Sequence, residues 1–169
     1  ARRVAASAVI VVDEGGVEEV PVATGEAAPS PRVSIVIPVH GQLAHTEACL
    51  ERLQGTLPPG FAGEIIVVDD ASPDDTAAAL PRWAARDPRI RVLTNATNLG
   101  FVQSCNRGAQ AATGDVLVFL NNDTLPEPGW LPPLLEVLRD VPDAGAVGAK
   151  LVYPDGRLQE AGGVVLADG

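Results

Sequence analysis

The chain has 169 residues, 46% of them apolar, which suits one domain with a sizeable core and excludes a disordered tail. Its formal net charge is −10 and no basic run exceeds Arg2-Arg3, so nucleic acid and anionic membrane surfaces are not expected partners. Phosphate is not excluded with them, because backbone N–H groups, helix N-termini and bound cations all hold it, and an acidic site favours the cation.

The chain opens on Ala1 without an initiator methionine and stops at Gly169 just after a strand-like run, so it is expected to be a piece of something longer. Residues 8–12 and 17–22, joined by Asp13-Glu14-Gly15-Gly16, read as a small hairpin. Residues 23–32 are small and Pro-rich and read as a linker. The expected division is therefore 1–30 as hairpin and linker, a remnant of an upstream region, and 31–169 as the main domain.

From Val33 the pattern alternates β-branched runs with longer amphipathic stretches. Strands are expected at 33–38, 64–70, 90–93 and 115–120, and helices at 43–54, 74–86 and 100–112. Continuously apolar strands separated by helices require a mostly parallel sheet covered on both faces, a doubly wound α/β fold with right-handed crossovers. Beyond Asp123 the sequence predicts a Pro-rich stretch around Trp130, an apolar helix 134–139, a Gly/Ala strand 145–152, a turn at 153–156 and a further strand or hairpin in 157–169.

No apolar run reaches the roughly eighteen residues that span a bilayer, and no signal-peptide pattern opens the chain. A cytoplasmic location is expected, with any attachment to the inner membrane face left to regions outside the chain. Cys49 and Cys105 lack CxxC spacing and read as core residues. The sequons at Asn95 and Asn122 read as accidental, and Trp83 and Trp130 as packing residues.

In such sheets ligands bind at the carboxyl ends of the strands, where three loops, Pro38-Val39-His40-Gly41, Asp69-Asp70-Ala71-Ser72-Pro73 and Asn121-Asn122-Asp123-Thr124, are expected to converge at one edge. Asp69-Asp70 closes one strand, and because neighbouring side chains alternate faces only one of the pair need face a ligand; the following Ser-Pro-Asp-Asp starts a turn and caps a helix. Asn121-Asn122-Asp123 closes another strand with a carboxylate suited to a hard cation that shares its shell with phosphate oxygens. Between them, Gly100 opens a helix after Asn98 and permits close backbone approach, while Asn98 can equally act as a plain N-cap.

Taken together and in order, VSIVIPVHG, EIIVVDDAS, NLGF with NRG, and GDVLVFLNNDT resemble the family 2 glycosyltransferases of the GT-A fold, and residues 145–166 resemble the continuation in its rhamnosyltransferase-like members. The resemblance implies an inverting transfer of sugar from a nucleotide-diphosphate donor to a hydroxyl of a glycan or lipid-linked acceptor, in cell-surface polysaccharide or glycan synthesis. By position it implies that Pro38 and His40 line a nucleobase pocket, that Asp70 accepts from the base, that Gly100 lies near the diphosphate, and that Asn122 and Asp123 lie at the donor with Asp123 holding Mn²⁺ or Mg²⁺. Asn121-Asn122-Asp123 departs from paired aspartates and leaves Asp123 as the only charged metal ligand. The family's catalytic base stands in a later segment, expected beyond Gly169, so no base is named.

Three alternatives compete. A sugar-phosphate nucleotidyltransferase needs a Gly-rich basic loop where Pro38-Val39-His40-Gly41 stands. A signalling receiver domain opens with the acidic strand and needs a phosphoaccepting Asp where Leu93-Thr94-Asn95 stands. The third is a nucleotide-binding module without activity.

Overall fold

The computed structural model describes residues 8–11, 31–141 and 144–161. In chain order the elements are β1 (Ala8–Val11), β2 (Val33–Val39), α1 (Leu43–Thr56), β3 (Glu64–Asp69), α2 (Thr76–Arg86), β4 (Ile90–Thr94), α3 (Phe101–Ala111), β5 (Val116–Leu120), α4 (Leu131–Asp140), β6 (Ala146–Gly148), β7 (Leu151–Val152) and β8 (Leu158–Glu160). Six strands form one sheet in the order β4-β3-β2-β5-β1-β6. The pairs from β4 to β5 are parallel, and β1 runs antiparallel between β5 and β6. The α/β class and mostly parallel sheet are as the periodicity predicts.

β2 and β3 are buried along their whole length, which is why they read as unbroken apolar runs. Their side chains alternate between two cores. Ile35, Ile37, Ile65 and Val67 face one side, where Leu50 and Leu53 of α1, Leu80 and Trp83 of α2, and Leu131 of α4 complete the larger core. Val36, Ile66 and Val68 face the other, against Ala111 and Ala112 at the end of α3. α3 approaches this second face closely: a Cβ on Gly108 would stand 2.3 Å from Val36 Cγ1, a separation only glycine allows.

Three expectations need correction. The segment at 8–11, expected as one arm of a separate hairpin, is a strand inside the main sheet, because the free edge of β5 offers an unpaired row of backbone groups that a short apolar segment can fill; its expected partner at 17–22 and the linker at 23–30 lie outside the described residues. The helix expected at 134–139 begins at Leu131, since prolines are tolerated in the first turn, where N–H groups have no intrahelical acceptor. The strand expected at 145–152 is two strands in different sheets, β6 on the main sheet and β7 paired with β8. Residues 162–169 of the last expected segment lie outside the described residues.

At the amino ends of the strands, Glu64 locks β2, β3 and the α3–β5 turn together. Ser34 Oγ donates to it at 2.9 Å, Thr113 from both N and Oγ1 at 2.8 and 2.6 Å, and Arg91 at 2.6 Å. Burial alone would raise this carboxyl's pKa, but the donors outweigh it and bring it down to about 2.

Candidate functional site

The chain runs from β2 through β3 to β4 in one direction, then returns to place β5 on the other side of β2. Such a reversal opens a crevice at the carboxyl ends of the two central strands. The β2–β3 ladder continues to Val39 opposite Asp69, whereas the β2–β5 ladder ends at Val36 opposite Phe119. Pro38, which has no N–H to offer, therefore sits where β5 has already left the ladder. The resulting cleft has a volume of about 360 Å³, and Pro38, His40, Asp70, Gly100, Asn122 and Asp123 all line it. The six residues singled out from the sequence are thus brought together; Asp69 is not among the lining residues and turns into its own loop, where it accepts from Ser72 N at 3.1 Å.

The loops beneath the cleft are tied to one another. Gly41 N donates to Ser72 Oγ at 2.7 Å, while Asp74 accepts from Leu43 N at 3.2 Å and Thr76 N at 3.1 Å, so it joins the starts of α1 and α2 as well as capping the latter. Gln42 and Ala71 follow β2 and β3 with φ of 58° and 52°. Left-handed backbone at non-glycine residues is strained, and two such positions in the loops under one cleft mark a segment over-determined by its surroundings.

His40 is exposed, yet its ring is held. Nδ1 lies 2.8 Å from the carbonyl oxygen of Asp70, which can only accept, so Nδ1 carries the proton. Nε2 then accepts from Asn98 Nδ2 at 3.1 Å. The other end of the Asn98 amide accepts from Gly100 N at 3.0 Å. Gly100 itself has φ 87° with open space where a Cβ would stand, so it is required by conformation and not by crowding.

Asp70 is 3% exposed. Its carboxylate accepts from Leu99 N at 2.8 Å, Gly100 N at 2.8 Å and Asn95 Nδ2 at 2.6 Å. Burial opposes its ionisation, but these donors prevail and hold its pKa below the usual carboxylate range.

The loop after β5 is anchored from behind. Asn122 Nδ2 donates to Thr46 Oγ1 at 3.0 Å, and the Cys49 thiol reaches the Asn121 carbonyl at 3.7 Å. Asp123 is left exposed on the cleft, and no described residue donates to its carboxylate. Its charge is felt by the buried Cys49 thiol, pushed up to about 12 by burial first and Asp123 second. Among the described residues no group of three His, Cys, Asp or Glu side chains could hold a metal ion alone.

Sequence reasoning missed Asn95 and Ser104, and gave no role to Phe101 of the NLGF motif. Asn95 is 2% exposed and Ser104 fully buried, both behind Asp70, while Phe101 is 59% exposed on the rim. The available signal was a polar residue placed one position after β4, at the same level of the sheet as Asp70.

The family model described as "Glycosyl transferase family 2" matches residues 34–163. The O-antigen biosynthesis protein RfbC of Myxococcus xanthus is 34% identical over 138 residues, covering 80% of this chain and 10% of that protein. Among solved structures, the mannosyltransferase PcManGT from Pyrobaculum calidifontis, in complex with GDP-Man and Mn²⁺, superposes with a TM-score of 0.53 at 28% identity, over 57% of this chain and 28% of that one. GalNAc-T7 shares the fold with a TM-score of 0.59 at 24% identity, over 65% of this chain and 21% of that one. The chain thus spans less than a third of each.

Proposed function

The chain belongs to glycosyl transferase family 2, and from that premise we propose that it is the donor-binding part of an inverting enzyme that moves sugar from a nucleotide-diphosphate donor to a hydroxyl of a glycan or lipid-linked acceptor. The observation that carries this reading is the gathering of Pro38, His40, Asp70, Gly100, Asn122 and Asp123 around one cleft at the topological switch. The Pyrobaculum relative, whose structure holds GDP-Man and Mn²⁺, supports the class of ligand. Among the described residues no helix is long and apolar enough to cross a membrane, and a cytoplasmic location is part of the proposal.

In this reading Pro38 and His40 flank the base. The Gly100 turn leaves room for backbone to approach the diphosphate, since nothing stands within 4 Å of where a Cβ would be. Asp70 fixes that turn through Leu99 N and Gly100 N, so the pocket is organised before the nucleotide arrives. A divalent cation fits the donor set on one condition: Asp123 is a single free carboxylate beside two amides, so most of the shell must come from substrate oxygens. Asp123 would hold Mn²⁺ or Mg²⁺ with Asn121 and Asn122 beside it, and the cation would neutralise charge on the departing diphosphate, a stabilisation of several kcal/mol. The base that deprotonates the acceptor is assigned to a segment outside this chain.

Amide correlation spectra of the ¹⁵N-labelled chain, titrated with uridine, thymidine and guanosine diphosphates in the presence of Mg²⁺, test the reading. At least one nucleotide is expected to shift Asn98 to Gly100 and Asn121 to Asp123 together. Shifts confined to other residues, or none with any nucleotide, would overturn it.

A further inference from the structure

Asp70 is not held by backbone alone. Asn95, at the end of β4, donates one amide hydrogen to Asp70 Oδ1 at 2.6 Å and the other to Ser104 Oγ at 3.0 Å. Its carbonyl oxygen accepts from the Arg107 guanidinium, which also donates to the Thr94 carbonyl at 2.7 Å. Every hydrogen-bonding direction of the amide except one lone pair is occupied. Three side chains, from α3 and from the residues just after β4 and β3, thus form a line: guanidinium, amide dipole, carboxylate.

The line has a definite polarity. The carboxylate attracts the amide hydrogens and the guanidinium attracts the amide oxygen, so both charges favour the same orientation of Asn95. Turning the amide over would set its oxygen against Asp70 and its hydrogens against Arg107, with both interactions repulsive at low local dielectric. A carboxylate offers about four lone-pair positions. Asn95 and Leu99 fill those of Oδ1, and Gly100 takes one on Oδ2. What remains for a ligand is set by where Asn95 pins the first oxygen.

We infer that Asn95 is a positioning residue of the donor site, and that Arg107, by fixing the orientation of the Asn95 amide, determines how Asp70 is presented to the nucleotide. The inference rests on the nucleotide reading of the cleft. Neither Asn95 nor Arg107 lines it, so both act through Asp70. The donors also keep Asp70 ionised, and removing one raises the pH at which the carboxylate takes up its proton.

The test compares the chain with its Asn95→Leu, Arg107→Met and Arg107→Lys variants. The first measurement is the acid titration of the Gly100 amide resonance, which follows Asp70 without any ligand. The second is calorimetric binding of whichever nucleoside diphosphate the unaltered chain takes. Asn95→Leu and Arg107→Met are expected to move the Gly100 midpoint upward and to weaken nucleotide binding about five- to tenfold, as a partly lost charge-assisted bond would. Arg107→Lys, which keeps a charged donor, is expected to restore most of both. A residue that merely supports the fold would lower the unfolding temperature without moving the midpoint. Should Asn95→Leu fail to fold, Arg107→Met decides. A wild-type midpoint and wild-type affinity in Arg107→Met would overturn the inference. Shifted midpoints in a chain that binds no nucleotide would uphold the positioning and overturn the reading of the cleft.

Discussion

Asp70 and Asp123 line the same cleft from opposite sides of β2. Asp70 is buried, with two backbone N–H groups and an amide directed at it. Asp123 is exposed and receives no donor from any described residue. The difference arises from what lies beyond each strand. The turn from β4 into α3 folds back over β3 and directs its N–H groups at Asp70, as helix starts do with nearby anions. The loop after β5 is held against α1 by the Asn122 amide and the Asn121 backbone carbonyl, which leaves its carboxylate outward. One aspartate therefore organises the chain before it can serve a ligand, and the other is free for a ligand and organises nothing.

The sharpest way to break that contrast is to remove each carboxylate. Asp70→Ala leaves Leu99 N and one hydrogen of the Asn95 amide without an acceptor, while Gly100 N keeps Asn98 Oδ1, and it is expected to lower the unfolding free energy by about 2–4 kcal/mol, since each unsatisfied donor away from water costs roughly 1–3 kcal/mol and some relaxation follows. Asp123→Ala should stay within about 0.5 kcal/mol of the parent, as exposed substitutions generally do. Urea unfolding of both variants measures the difference. Equal effects would mean that Asp70 is no more embedded in the structure than Asp123.

Glu64 repeats the Asp70 pattern at the opposite end of the sheet, away from the cleft, and so separates embedding from function. Its folded pKa is lowered from 4.5 to about 2, so its contribution to stability is complete above the unfolded value and is lost as pH falls toward the folded one. Glu64→Gln is expected to lower stability at neutral pH by about 1–3 kcal/mol and to flatten the loss between about pH 4.5 and 2. Nucleotide affinity should not change. A Gln variant with an unaltered acid limb would place the lost protonation site elsewhere.

The sequence made the parallel sheet legible because β2 and β3 are buried on both faces and so carry few polar residues to interrupt the pattern; Ser34 and Glu64 at their starts belong to the network at the amino ends, and Asp69 closes β3 at the loop beneath the site. The site was legible as far as strand ends and carboxylates could be read. Asn95 was not, because its importance lies in having Asp70 and Arg107 on either side of it, and neither is its sequence neighbour. Ser104 was hidden for the same reason, as a helix serine whose partner stands just after β4. Nor could β1 be read as part of the main sheet, since an apolar tetrapeptide carries no record of which edge it will join.

The smallest expected change in stability accompanies the most specific change in binding. Asp123→Asn keeps shape and removes one exposed charge, so unfolding should be unaffected within measurement. Yet Asp123 is the one carboxylate lining the cleft that the described residues leave without a donor, and one carboxylate cannot supply the six or more oxygens a hard dication takes. Cation and diphosphate must then complete each other's shell, and linkage makes the coupling reciprocal: each raises the other's affinity by the same factor, typically five- to about a hundredfold. Manganese titrations followed by electron paramagnetic resonance, with and without nucleoside diphosphate, measure that factor directly. The parent chain is expected to bind Mn²⁺ weakly alone and at least about fivefold more tightly with nucleotide, whereas Asp123→Asn should bind it equally weakly in both conditions. If the variant kept the synergy, the cation would be held elsewhere, and the openness of Asp123 would be that of an ordinary polar turn.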